Sequence, residues 1–142
     1  VSTNRRSSVG TLRYSVLDDR SYKLIVEVDP GIVALARALM PKWIRSNPQR
    51  YEPHITVIRN EVVSNVGLWA THEGAEVEFK YDPRVQDDGR YFWLYAFSPR
   101  LHEIRVELGL EPLSELSRPP DLADCFHITI GNTRGILPWP KV

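Results

Sequence analysis

A chain of 142 residues, 42% of them hydrophobic, is long enough for one compact domain with a real core, and it needs neither a metal nor a disulfide to staple it. Its 18 basic residues balance 18 acidic ones, which speaks against a grip on long nucleic acid, where a basic excess supplies most of the affinity, and suits a short or small phosphate ligand. The single cysteine, Cys125, excludes an intrachain disulfide and points to a reducing, cytoplasmic setting, and no apolar run approaches membrane-spanning length.

The start, Val-Ser-Thr-Asn-Arg-Arg-Ser-Ser, lacks the apolar core of a secretion signal, and residues 1–10 are expected to form a flexible arm. Residues 12–18 and 22–29 are apolar-rich around a polar Asp-Arg-Ser turn and predict a hairpin. Asp29-Pro30 supplies an N-cap and a first-turn proline for a helix whose apolar positions are Ile32, Leu35, Ala36 and Leu39, with Pro41 ending it. Residues 42–53 read as an irregular crossing, 54–59 as a short strand, and the stretch to Gly74 is poorly patterned. Residues 75–81 and 90–97 look like paired strands, with Asp87-Asp88-Gly89 as the turn signal between them. A second helix opens at Ser98-Pro99, carries Leu101, Ile104 and Leu108 on one stripe, and stops at Gly109. A loop over 112–124, a strand over 126–130 and an irregular tail over 132–142 complete the chain. Each half thus runs strand pair, capped helix, connector, then a histidine strand, an echo that predicts an α+β fold of two lobes related by a pseudo-twofold within one domain.

The chemistry sits in that echo. His54-Ile55-Thr56-Val57 and His127-Ile128-Thr129-Ile130 share one pattern, and on a strand it turns each histidine and threonine to one face and the two apolar residues to the other. Chance gives roughly 0.2 His-x-Thr triplets in such a chain, so a matched pair asks for a reason. Two imidazoles around one phosphate can take a proton from an attacking oxygen and give one to a leaving oxygen near neutral pH. Two hydroxyls can donate to the non-bridging oxygens as charge builds.

The paired motifs resemble those of the two-histidine (2H) phosphoesterases. Within that group, Tyr22-Lys23-Leu24-Ile25-Val26-Glu27-Val28-Asp29, Met40-Pro41-Lys42 and Tyr51-Glu52-Pro53-His54-Ile55-Thr56-Val57-Ile58-Arg59-Asn60-Glu61 are similar to the phage anti-CBASS nucleases. The resemblance implies a bilobal 2H fold, two antiparallel-sheet lobes with outer helices around a central cleft. It implies a metal-independent enzyme without cofactor that opens cyclic di- and trinucleotide second messengers, cGAMP among them, at their 3′–5′ bonds with the ribose 2′-hydroxyl, blocking antiphage signalling in the bacterial cytoplasm. His54, Thr56, His127 and Thr129 would be catalytic, and Tyr22 would meet a base. Which histidine is base, the ring size and the base preference stay open, as does assembly into a homodimer.

Other residues are weaker candidates. Arg59 and Arg134 follow the two motifs and could neutralise phosphate, and Trp139 could close over a ligand. Tyr91, Trp93 and Tyr95 alternate with Phe92, Leu94 and Ala96 along one strand, either face of which burial would explain. Cys125 is expected to be a small buried residue, His102 an exposed one. No His, Cys or carboxylate cluster has metal-ligand spacing. Two alternatives use the same four residues or the same pocket: an RNA 2′,3′-cyclic phosphodiesterase, and a non-catalytic module that sequesters nucleotides.

Overall fold

The computed structural model describes residues 4–112 and 125–135. Eleven residues, Arg6–Val16, form β1, which pairs antiparallel with β2 (Tyr22–Glu27) through its second half and with β5 (Glu76–Tyr81) through its first. Thr11 is paired on both sides, to Glu27 and to Glu76, so the strand turns a corner between two partners there. Gly10 makes the corner feasible: a Cβ on it would run into the Val26 side chain and stand 2.7 Å from Glu27 O. Residues 6–10, expected as a loose arm, are therefore the first half of this shared strand.

The remaining strands are β3 (Asn47–Pro48), β4 (His54–Arg59), β6 (Gln86–Asp87), β7 (Tyr91–Phe97) and β8 (Phe126–Asn132). Pairing runs β8-β4-β2-β1-β5-β7, and β7 pairs back onto β8, so six antiparallel strands close into a barrel, with β3 added on β8 and β6 on β7. This overturns the bilobal α+β expectation. Two lobes would each need a sheet and outer helices of their own, whereas here β1 and β8 are each shared around one ring, and the only helices among the described residues, besides a 3-10 turn at Val66–Leu68, are two of nine residues. The molecule is mostly β.

The helices do start where the sequence places them. In α1 (Pro30–Ala38) the Asp29 carboxylate accepts from Gly31 N–H at 2.8 Å. In α2 (Pro99–Glu107) the Ser98 hydroxyl instead donates to Glu78 O at 2.9 Å, tying the helix start to β5. The helix ends in left-handed Gly109, φ 86°, with Leu110 N–H on Arg105 O. Helix α2 touches β4 and β5, which lie opposite each other in the ring, so it packs across the barrel, while α1 packs on β8. Leu24, Val26, Ile55, Val57, Leu94, Ile128 and Ile130 join Ile32, Val33, Leu101 and Ile104 in one core. Among the described residues no helix is long and apolar enough to cross a membrane.

Candidate active site

Ile55, Val57, Ile128 and Ile130 are each at most 2% exposed in that core. Alternation then turns His54, Thr56, His127 and Thr129 to the opposite face of the same two strands. Strands β4 and β8 are neighbours, bridged at Ile55 and Ile128. Continuing that register sets His54 beside Thr129 and Thr56 beside His127. Side chains so paired stand roughly 5 Å apart at Cβ, and diagonal ones roughly 7–8 Å. The two imidazoles occupy one diagonal of this square and the two hydroxyls the other. Because Ile55–Ile128 is the one bridge pair between β4 and β8, the square straddles the most sparsely bridged seam of the barrel.

Past each threonine the strand bulges. Thr56 pairs with Ile25 and Ile58 with Leu24, leaving Val57 extra; Thr129 pairs with Trp93 and Gly131 with Phe92, leaving Ile130 extra. An arginine from a helix, fully buried in one case and half-buried in the other, meets the carbonyl of each extra residue: Arg105 Nη1 donates to Val57 O at 2.7 Å, and Arg37 Nη1 donates to Ile130 O at 3.0 Å. Arg105 also forms a fork on Glu61, at 2.8 and 2.7 Å, and Arg37 holds Ser46 O at 3.1 Å. Each bulge resets the alternation, so Arg59 and Asn132 return to the face of the histidines.

The two histidines differ in surroundings. His54 Nδ1 lies 2.8 Å from Glu52 O, and since a carbonyl only accepts, that nitrogen carries hydrogen and Nε2 is left for a ligand. Its β2 partner is Glu27, whose carboxylate is held by Arg13 at 2.7 Å. His127 pairs with Tyr95, ring centroids 5.6 Å apart, and Trp93 stands edge-on at 5.5 Å. Burial among these rings pushes the His127 pKa below the usual imidazole value. Trp93 Nε1–H is buried and has no acceptor among the described residues. Trp93 is the β7 partner of Thr129, so this spare donor lies beside the square.

Of the other residues singled out in the sequence, Arg59 reaches this face, exposed, beyond Thr56. Tyr22 does not. It packs on the core side with Trp69 at 4.8 Å, at the far end of β2. Trp139 lies outside the described residues. The Arg134 guanidinium donates to Tyr91 OH. Cys125 is fully buried, and His102, expected in solvent, instead puts Nδ1 2.6 Å from Pro112 O and its ring against Phe126. No group of His, Cys, Asp and Glu suited to a metal occurs among the described residues. Sequence reasoning missed Trp93 as a donor, and Asn132 and Lys23 as neighbours of the square; the alternation of Tyr91, Trp93 and Tyr95 was the one available signal for the first, and none existed for residues moved by a bulge. Comparison of the chain with protein-family models, with curated proteins and with solved structures finds no match.

Proposed function

We propose that the chain is a phosphodiesterase that opens cyclic di- and trinucleotides, with His127 as general base and His54 as general acid. The observation that carries this reading is that the two His-x-Thr strands are neighbours bridged at Ile55 and Ile128, which by strand alternation turns both imidazoles and both hydroxyls to one face. His127, kept neutral by burial, accepts the proton of the ribose 2′-hydroxyl. The 2′-oxygen bonds to phosphorus, the bond to the 5′-oxygen breaks, and His54 delivers a proton from Nε2 to that leaving oxygen. Its Nδ1–H donates to Glu52 O, which fixes the ring and leaves Nε2 as the atom that meets the leaving oxygen. The ring opens to a chain ending in a 2′,3′-cyclic phosphate, and water attack with the roles exchanged would carry this to a 3′-phosphate.

Thr56 and Thr129 would offer hydroxyl donors to the non-bridging oxygens, each contributing about 2–4 kcal/mol if it strengthens only in the transition state, and the buried Trp93 Nε1–H beside Thr129 would be a further donor once a seated phosphate reaches it. Two imidazoles perform both proton transfers, so the scheme routes no step through a metal. In an infected bacterium such an activity would erase the cyclic nucleotide alarm.

The test is cleavage in EDTA. Purified protein is incubated with cyclic dinucleotides, cyclic trinucleotides and, separately, RNA ending in a 2′,3′-cyclic phosphate, and products are resolved chromatographically. Cleavage of the cyclic compounds that persists under chelation, and falls by orders of magnitude in His54→Ala and His127→Ala while binding survives, is the expected result. Turnover only of the RNA ends would move the substrate, and binding without turnover in the parent chain would make it a sequestering module.

A further inference from the structure

On the face of the histidines, Lys23 of β2 and Arg59 of β4 are register partners. Two like charges directly opposite on a sheet repel, and neither residue makes a salt bridge among the described residues. Asp19, whose carboxylate feels Arg59, accepts instead from the Ser21 hydroxyl and N–H at 2.5 and 2.9 Å. The arrangement is also not accidental in its parity. Without the bulge at Val57, Arg59 would point into the core; the bulge, held by Arg105, is what sets the second cation beside the first. An aromatic wall completes the spot: Lys23 Nζ stands 5.8 Å from the Tyr51 ring, and Tyr51 is 62% exposed, its face open for stacking. Tyr51 belongs to the segment between β3 and β4, three residues before His54.

We propose that Lys23 and Arg59, beside Tyr51, form a second phosphate subsite, which makes the substrate a nucleotide chain with at least two phosphates. The inference rests on the phosphodiesterase reading for what happens at the square. Arg59 is the next outward residue after Thr56 along β4, two pleat steps or roughly 7 Å away, comparable with the distance between successive phosphates of an extended nucleotide chain. While one phosphate reacts between the imidazoles, the next is held by the two cations and its base lies on Tyr51. A nucleoside 2′,3′-cyclic phosphate, with one phosphate, has nothing to place there.

Two measurements test this, using Lys23→Gln with Arg59→Gln in the full chain. In the first, KM is compared for a cyclic dinucleotide, a linear dinucleotide with a 5′-phosphate, and a nucleoside 2′,3′-cyclic phosphate. The ratio of KM for either two-phosphate substrate to that for the one-phosphate substrate should rise about tenfold or more in the double variant; a ratio equal to the parent's overturns the subsite. In the second, binding of the cyclic dinucleotide is titrated calorimetrically against the parent, the double variant and His54→Ala. Weaker binding by the double variant alone sustains the subsite even if no cleavage is seen, in which case the catalytic reading fails by itself; parent-like binding by the double variant, or none by the parent, overturns the subsite. Removing the opposed charges should leave the thermal midpoint at or above the parent's, and a lower midpoint with equal losses on all substrates would make the pair structural and overturn the proposal.

Discussion

Trp93 shows how one atom separates a packing role from a chemical one. Its ring stands edge-on in a cluster with Tyr95 and His127, which any large aromatic could supply, but its Nε1–H is buried without an acceptor among the described residues. Trp93→Phe keeps the ring and removes the donor. If the donor meets a non-bridging oxygen, kcat should fall roughly 10²-fold with little change in KM, and urea unfolding should shift little, since an unsatisfied buried group is lost along with some volume. An unchanged kcat would return Trp93 to the core. His127 makes a second residue-scale prediction, in pH. The groups facing it are Tyr95, Trp93 and Thr56, none charged at neutral pH, and burial lowers its pKa in the folded state. The unfolded chain, with an ordinary imidazole near 6.5, then binds the proton more readily than the folded one. The stability this contributes is present above about pH 6.5 and is lost as pH falls through the lowered folded value. The thermal midpoint of the parent relative to His127→Gln should therefore drop between about pH 8 and about pH 5, and a difference that is flat with pH would mean His127 is not desolvated.

At the scale of elements, the strand-bulge-arginine unit occurs on both histidine strands, and the arginines are what hold the bulges. Arg105 is 1% exposed and satisfies Glu61, Val57 O and Glu111 O at once. Arg105→Met strands the Glu61 carboxylate and two carbonyls, and should cost about 3–5 kcal/mol in chemical unfolding, while Glu61→Gln with Arg105→Met should recover part of it by removing the orphaned charge. A second element-scale test is Gly131→Ala, where a Cβ would stand 2.7 Å from Asn47 O between β8 and β3; roughly 1–3 kcal/mol should be lost, because the contact is backbone and cannot swing away. What could be foreseen from the chain follows the same division. His54–Arg59 was legible to the residue, since β-branched alternation is a local property, and so were both helix starts, since a cap and a proline are local too. The four motif residues and their common face came from the same alternation. The bulges did not, because one extra residue leaves no mark in composition yet flips everything after it, as it does for Arg59 and Asn132. Nor did closure: the chain halves do echo each other locally, but whether two sheets stand apart or join depends on β1 turning its corner at Gly10 and on β7 finding β8, both long-range events.

For the whole molecule, one closed ring and one core mean that no half can unfold by itself. If β1, β2 and β4 came loose, β8 would lose its bridge at Ile55 and β5 its pairing with β1, and the apolar faces of Val77, Phe79, Leu94 and Ile128 would be laid open together. Two independent lobes would behave otherwise, each melting at its own midpoint. Trp69, packed on Tyr14 and Tyr22 at one end, and Trp93, on β7 beside His127, report on opposite parts of the ring. With each observed separately, the others replaced by phenylalanine, their fluorescence should follow urea along the same curve as far-UV circular dichroism, with coincident midpoints and equal slopes. Separated midpoints would show that the seam between β4 and β8 opens before the rest. That outcome would bear on the proposed chemistry as well, because His54 and His127 stand on the two sides of that seam, and the proposed scheme needs both at one phosphate.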